Sequence, residues 1–326
     1  MKIAILGSGG WGLALACTLS RLGHEVTVWS AFKDELDSIR RTGELRAKLP
    51  GVQIPRTVKL TEDICCCENK DIIVVGIPTK FVRDVCNQAR EHISPSSIIV
   101  SCSKGLEEGS LKRMSEVIGE VFPENTVVVL TGPSHAEELG RGIPTAVVVA
   151  SSDRDAAMLI QRTFSDNVLR LYVNSDVIGC EIGGAIKNVI ALCCGVLEGL
   201  GLGDNSRAAL ITRGLSEITR LGVAMGGTAD TFCGLAGIGD LIVTCTSMHS
   251  RNFRAGILIG QGTDPEEAVR IVGTVEGYGC AAATLELSRR YGVDMPITRE
   301  INGILFLGRS PKDAISALMG RPYRSE

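Results

Sequence analysis

Six residues constrain this chain more than any others. Gly7-Ser8-Gly9-Gly10-Trp11-Gly12 follows the apolar run Lys2–Leu6 directly and opens an amphipathic stretch at residues 12–22. A Gly-x-Gly-x-x-Gly held between a strand and a helix has a specific physical use. Its first glycine makes the tight turn, its second lets a pyrophosphate approach the backbone, and its third lets the helix pack closely. The amides at the helix N-terminus then hold the anion. A glycine-rich turn with no ligand, or an N-terminal secretion signal, are the alternatives. A signal is disfavoured because four glycines interrupt its apolar core and one lysine precedes it.

The pattern continues beyond this turn. Strands are expected at Lys2–Leu6, Glu25–Trp29, 71–76, Ile98–Ser101, Val127–Thr131 and 146–150. Between them lie helical patterns at 12–22, 81–92 and 112–121. Near-continuous apolar strands alternating with helices predict a mostly parallel sheet covered on both faces. After about residue 177 the chain reads as helix after helix joined by glycine-rich links. The fold class expected is α/β, an N-terminal Rossmann-like doubly wound sheet followed by an all-α domain. The boundary falls near 174–179, giving domains 1–178 and 179–326 for dinucleotide and for substrate and catalysis.

Composition narrows the function. With 34 basic and 37 acidic residues in 326, the net charge is −3, which argues against broad binding to nucleic-acid backbones. A content of 44% hydrophobic and 22% charged residues is that of a globular chain rather than a disordered one. Uninterrupted apolar stretches stay short of the ~18 residues of a membrane span. The 12 cysteines include the adjacent runs Cys65-Cys66-Cys67 and Cys193-Cys194, unlike a spaced disulfide framework, so a reduced, cytoplasmic protein is expected. No Cys-x-x-Cys pair or His-rich segment accompanies Cys65–Cys67, so no metal is expected.

The strand 25–29 ends without the acid that usually holds the ribose hydroxyls of NAD: Val28-Trp29-Ser30-Ala31 precedes Asp34 and Glu35. Neither does an arginine stand there for a 2′-phosphate. NAD and NADP both remain open.

Isolated charges mark the chemistry. Over residues 182–197, Lys187 is the only charged side chain and Asn188 the only other strongly polar one. A helix apolar on nearly every side is a buried helix. Burial penalises the ammonium and suits a lysine to proton transfer, unless the side chain snorkels to the surface. Asp240 is the only charge in 231–247, among Gly234, Gly237 and Gly239; it is either a helix N-cap or a partner for Lys187. Lys104 and the segment Gly132-Pro133-Ser134-His135-Ala136 follow strands at the carboxyl edge, where ligands of open sheets bind. A surface lysine and a loop histidine are the plain alternatives. Ser250-Arg251-Asn252 offers a hydroxyl, a guanidinium fork and an amide suited to phosphate, or else a solvated turn. Together these groups suggest hydride transfer to a small phosphorylated substrate.

With Ser103-Lys104-Gly105, Gly132–Glu138, Gly183–Val189, Cys245–Asn252 and Val275-Glu276-Gly277-Tyr278 in this order, the chain resembles the bacterial-type NAD(P)-dependent glycerol-3-phosphate dehydrogenases along its whole length. The resemblance implies interconversion of sn-glycerol 3-phosphate and dihydroxyacetone phosphate for phospholipid synthesis, with Lys187 as proton acceptor and donor. It implies substrate contacts at Lys104, Gly132, Ser134, Lys187, Asp240, Ser250, Arg251 and Asn252. Coenzyme contacts would be Gly10, Trp11, Lys104, Ala136, Arg251, Thr274 and Glu276, beside Gly7, Gly9 and Gly12 of the turn. A homodimer is implied by family likeness. Ala31 and Gly279 stand where family members often carry Arg or His, and Arg. The competing readings are a related two-domain dehydrogenase of a hydroxy acid or phosphogluconate, and a non-catalytic nucleotide sensor.

Overall fold

The computed structural model describes residues 1–322. The first compact unit takes Met1–Glu107 with Lys112–Glu181. It holds eight strands, β1 (Lys2–Leu6), β2 (Glu25–Trp29), β3 (Lys59–Thr61), β4 (Ile72–Val75), β5 (Ile98–Ser101), β6 (Val127–Thr131), β7 (Thr145–Ala150) and β8 (Leu169–Asn174). Their order is β3-β2-β1-β4-β5-β6-β7-β8, parallel throughout except between β6 and β7. Helices α1 (Gly10–Arg21), α2 (Lys33–Thr42), α3 (Val82–Ala89), α4 (Met114–Val121), α5 (Ala136–Gly140) and α6 (Arg154–Phe164) complete it.

Alternation explains why the strands are apolar along their length. Ile3 and Ile5 enter one core cluster with Leu13, Val26 and Val74, while Ala4 and Leu6 enter another with Ile73, Val75 and Ile99. Successive side chains of a strand point to opposite faces, so both faces of this sheet are buried. The strand order reverses at β1, which pairs with β2 on one side and β4 on the other. The glycine turn after β1 therefore sits at the topological switch point, where open α/β sheets bind ligands.

Two strands were not expected. β3 has three residues, and β8 alternates buried and exposed positions in its first part, as an edge strand does. A search for continuous apolar runs passes over both. The expected helix at 81–92 is one α-helix, α3, flanked by two one-turn 3₁₀ segments, Thr79–Phe81 and Arg90–His92.

The second unit runs from Ile182 onward, joined by Glu108–Leu111. Its helices are most of α7 (Val177–Gly199), then α8 (Asp204–Ala224), α9 (Ala229–Phe232), α10 (Asp240–Thr246), α11 (Arg251–Gly260), α12 (Pro265–Val272), α13 (Glu276–Arg290), α14 (Pro296–Phe306) and α15 (Pro311–Met319). α7 and α11 meet backbone to backbone through four glycines. A Cβ on Gly195 or Gly199 would lie 2.1 or 2.2 Å from the carbonyl oxygen of Phe253 or Ile257. One on Gly256 or Gly260 would lie 2.1 or 2.3 Å from that of Leu192 or Val196. Small residues spaced four apart on both helices permit this approach.

One expectation needs correction. α7 is 23 residues long with a mean hydropathy of 1.6 over its most apolar window, enough by length and composition to cross a membrane. Counting uninterrupted apolar runs hid this, because single polar residues such as Lys187 break the run. That window is 89% buried within the protein, the condition of a core helix. The segment Ala229–Thr246 meets the same test less strongly and is 44% buried.

Candidate active site

In the first unit the glycine turn is shaped by space. Gly7 has φ +118°, and a Cβ there would meet Gly76 O at 2.6 Å. A Cβ on Gly12 would lie 2.4 Å from Gly7 O, and one on Gly10 would lie 2.6 Å from Lys48 O and 3.2 Å from Ala136 Cβ. Gly9 caps α1 with no side-chain hydrogen bond, which leaves that N-terminus to an anion. Trp11 is half-buried against the core. The glycine cradle and the uncapped helix fit a dinucleotide. So do two buried hydroxyls without a hydrogen-bond partner, Ser101 Oγ and Thr131 Oγ1, which end β5 and β6 at the carboxyl edge.

A carboxylate reaches this turn after all. Ser8 Oγ donates to Glu35 Oε2 at 2.5 Å and shares a 2.8 Å hydrogen bond with Ser30 Oγ, while Lys48 Nζ pairs with Glu35 Oε1 at 2.6 Å. Glu35 comes from the first turn of α2 rather than from the end of β2. Sequence reasoning noted the residue without a role, because its approach depends on how α2 turns back over the loop.

Along the same edge, Lys104 Nζ donates to Gly132 O and to Ser134 Oγ, both at 2.8 Å. Lys104 is thus tethered rather than a loose surface lysine. Gly132 has φ +125°, and a Cβ there would come within 3.1 Å of Val147 Cα, so the turn after β6 needs glycine. His135 caps α5 by position only, with no side-chain capping bond, and Ala136 opens that helix beside Gly10.

In the second unit Lys187 lies mid-helix in α7, 6% exposed, and Asp240 is fully buried. Lys187 Nζ donates to Asp240 Oδ1 and, at 2.9 Å, to Thr244 Oγ1. Thr244 donates in turn to the Asp240 carbonyl at 2.6 Å. Asp240 is the first residue of α10, with Gly239 in the cap position. Its side chain serves the lysine, which a buried ammonium requires. Burial also pushes the Cys245 thiol well above its ordinary pKa, so this neighbour of Lys187 stays neutral. Thr244 was missed, although its place four residues after Asp240, on one helix face, was a usable signal.

The Ser250–Asn252 segment is not a solvated turn. Ser250 Oγ accepts from Phe253 N at 3.2 Å, capping α11, and both Ser250 and Asn252 are buried. Asn252 Nδ2 donates to Asn188 Oδ1 at 2.9 Å, and its Oδ1 accepts from Gly277 N at 2.8 Å. One amide thus joins the residue after Lys187 to the start of α13. Arg251 is exposed at the first position of α11. Glu276 opens α13 half-buried, and Thr274 is exposed in the link before it. Gly279 faces open space, so the chain has room for the side chain it lacks. Gly7, Gly9, Gly10, Trp11, Gly12, Lys104, Gly132, Ser134 and Ala136 gather in the first unit. Lys187, Asp240, Ser250, Arg251, Asn252, Thr274 and Glu276 belong to the second.

Known proteins resemble this chain over its whole length. Residues 2–157 match the family model of the NAD-dependent glycerol-3-phosphate dehydrogenase N-terminus, and residues 176–316 that of its C-terminus. A glycerol-3-phosphate dehydrogenase [NAD(P)+] of Desulfitobacterium hafniense is 49% identical over 326 residues, covering 100% of this chain and 93% of the relative. Its counterpart in a Thermoanaerobacter species is 49% identical over 328 residues, covering 100% and 99%. The crystal structure of glycerol-3-phosphate dehydrogenase from Coxiella burnetii superposes with a TM-score of 0.94 at 36% identity, covering 98% of this chain and 99% of that one.

Proposed function

The chain belongs to the NAD-dependent glycerol-3-phosphate dehydrogenase family, and from that premise we propose that it interconverts sn-glycerol 3-phosphate and dihydroxyacetone phosphate. A bound NAD(P) supplies the hydride chemistry. The protein's own residues bind, orient and move the proton. In the reducing direction Lys187 Nζ gives its proton to the substrate oxygen as that oxygen gains charge; in the oxidising direction the neutral amine takes it from the hydroxyl. Asp240 and Thr244 hold Nζ in place, so little reorganisation accompanies the transfer. Lys104, anchored by Gly132 and Ser134, adds positive potential for substrate oxygens. Arg251, with Ser250 and Asn252, offers the fork and amide that suit a phosphate. Residues 1–178 carry the dinucleotide-binding role and residues 179–326 substrate binding and catalysis.

One observation carries this reading: an ammonium in mid-helix, buried among apolar side chains and held by a carboxylate and a hydroxyl. Lys187→Ala should lower kcat with dihydroxyacetone phosphate by about 10²–10⁴-fold, while NADH binding, followed by its fluorescence, persists. Undiminished turnover in that variant, or turnover of hydroxy acids in place of the triose phosphate by the parent protein, overturns the assignment. The product, glycerol 3-phosphate, would feed phospholipid synthesis in the cytoplasm, in keeping with twelve unpaired cysteines. A homodimer rests on family likeness and is checked by sedimentation.

A further inference from the structure

The connection between β3 and β4 meets the connection between β4 and β5 at a cluster that the dehydrogenase reaction does not use. Cys65 lies in a one-turn 3₁₀ segment, Ile64–Cys67, in the connection leading to β4, and Glu68 follows it. His92 ends the 3₁₀ segment Arg90–His92 in the connection leading to β5. The fold brings these two connections together although 27 residues separate Cys65 from His92. Spacing along the chain gave Cys65 no such partner.

We propose that Cys65 and His92, with Glu68 orienting the imidazole, bind a thiophilic divalent cation such as zinc. One donor atom from each of the three side chains lies within 4.8 Å of the others. Cys65 Sγ stands 3.6 Å from His92 Nε2. Zinc binds sulfur at about 2.3 Å and imidazole nitrogen at about 2.0–2.1 Å, and a tetrahedral angle between them sets the two ligands about 3.6 Å apart. The histidine is also oriented for the task. Its Nδ1 is 2.8 Å from Glu68 Oε1, so a proton on Nδ1 is donated to the carboxylate and the Nε2 lone pair faces the sulfur. Carboxylates that fix the tautomer of a ligating histidine in this way are a recurrent feature of metal sites.

Charge favours a cation over the rival reading. Cysteine, histidine and glutamate in this order also resemble an activated nucleophile, but a reactive thiolate needs an electropositive setting. Here Asp63, which accepts from Cys65 N at 3.0 Å, and Glu68 surround the sulfur with negative charge. A divalent ion relieves that repulsion. Binding transfers the thiol proton to solvent as the sulfur–metal bond forms, and nothing is oxidised. The bound ion would tie the two connections together and stabilise the native state by mass action.

The test uses the full-length protein carrying Cys233→Ser, which removes an exposed thiol of the second unit. Titration with cobalt(II) should produce a thiolate-to-cobalt charge-transfer band that saturates at one equivalent and is bleached by zinc. Cys65→Ser should abolish the band, and His92→Ala should abolish or weaken it. Glu68→Gln should weaken binding by about 10–100-fold, the usual effect of removing a carboxylate that supports a ligand. Zinc should raise the melting temperature of the parent protein but not that of Cys65→Ser. All four side chains are outside the proposed catalytic set, so unchanged dehydrogenase activity reports that each variant is folded. Absence of the band, or its persistence in folded Cys65→Ser, overturns the proposal and leaves the dehydrogenase assignment standing.

Discussion

Replacing Asp240 with asparagine keeps the volume and one oxygen of the side chain but removes its charge. Lys187 and Asp240 side chains are 8% and 1% exposed, so water cannot take the place of the lost partner. Breaking one half of a buried pair typically costs about 3–5 kcal/mol, because the remaining charge is left desolvated. Thr244 still accepts from Nζ at 2.9 Å, which puts Asp240→Asn near the lower end, about 3 kcal/mol. That is roughly a hundredfold in the folding equilibrium. Lys187→Met should cost as much or more, since it strands a fully buried carboxylate. The double variant removes both charges at once and should be more stable than either single one. Urea unfolding followed by circular dichroism measures this, with m-values compared across the four proteins to check that one transition is being read. Independent residues would give additive losses to within about 0.5 kcal/mol. An additive result would refute the argument that each residue is tolerated in the core because of the other. The double variant should also be inactive although well folded, which separates catalysis from stability.

The chain supports three further predictions. Burial raises the pKa of Glu217, which accepts from Ile297 N, Thr298 N and Thr298 Oγ1, above the ordinary 4.5. The native state then keeps a proton that the unfolded chain has released, so this group's contribution to stability falls as pH rises from 4.5 toward the native value. Melting temperatures across that window should fall less steeply in Glu217→Gln than in the parent, and parallel profiles would contradict this. Glu35 places a carboxylate beside the glycine turn, where it would repel the 2′-phosphate of NADP. One unit charge at about 4 Å is worth ~1 kcal/mol even in water, so Glu35→Gln should shift the ratio of NADPH to NADH dissociation constants about fivefold toward NADPH. Equilibrium fluorescence titration reads this, and an unchanged ratio refutes it. Gly195→Ala sets a methyl 2.1 Å from Phe253 O. It should cost about 1–3 kcal/mol by overpacking despite alanine's better helix propensity, and a more stable variant would refute the glycine contact.

The legible parts of this protein were those in which local sequence has one physical solution. A strand buried on both faces must be apolar throughout, and the short apolar runs at residues 3–6, 98–100 and 127–130 identify β1, β5 and β6 almost to the residue. β8 escaped because Leu169, Arg170, Leu171 and Tyr172 alternate buried with exposed, and such a pattern stands out less than a continuous run. Lys187 and Asp240 were each visible as a lone charge in an apolar stretch. Their meeting also follows from chemistry, since neither is tolerable in the interior alone. What sequence could not supply was the arrival of side chains from elements whose own patterns are ordinary. Glu35 looks like one more acid in a solvated first helical turn, and His92 like a polar helix end. Each acquires its neighbours, Ser8 and Cys65, only because parallel crossovers bring together connections that are distant in the chain. Charges that must be buried announce their partners. Charges that can remain in water do not, and for these the fold has to be seen before any chemistry can be assigned to them.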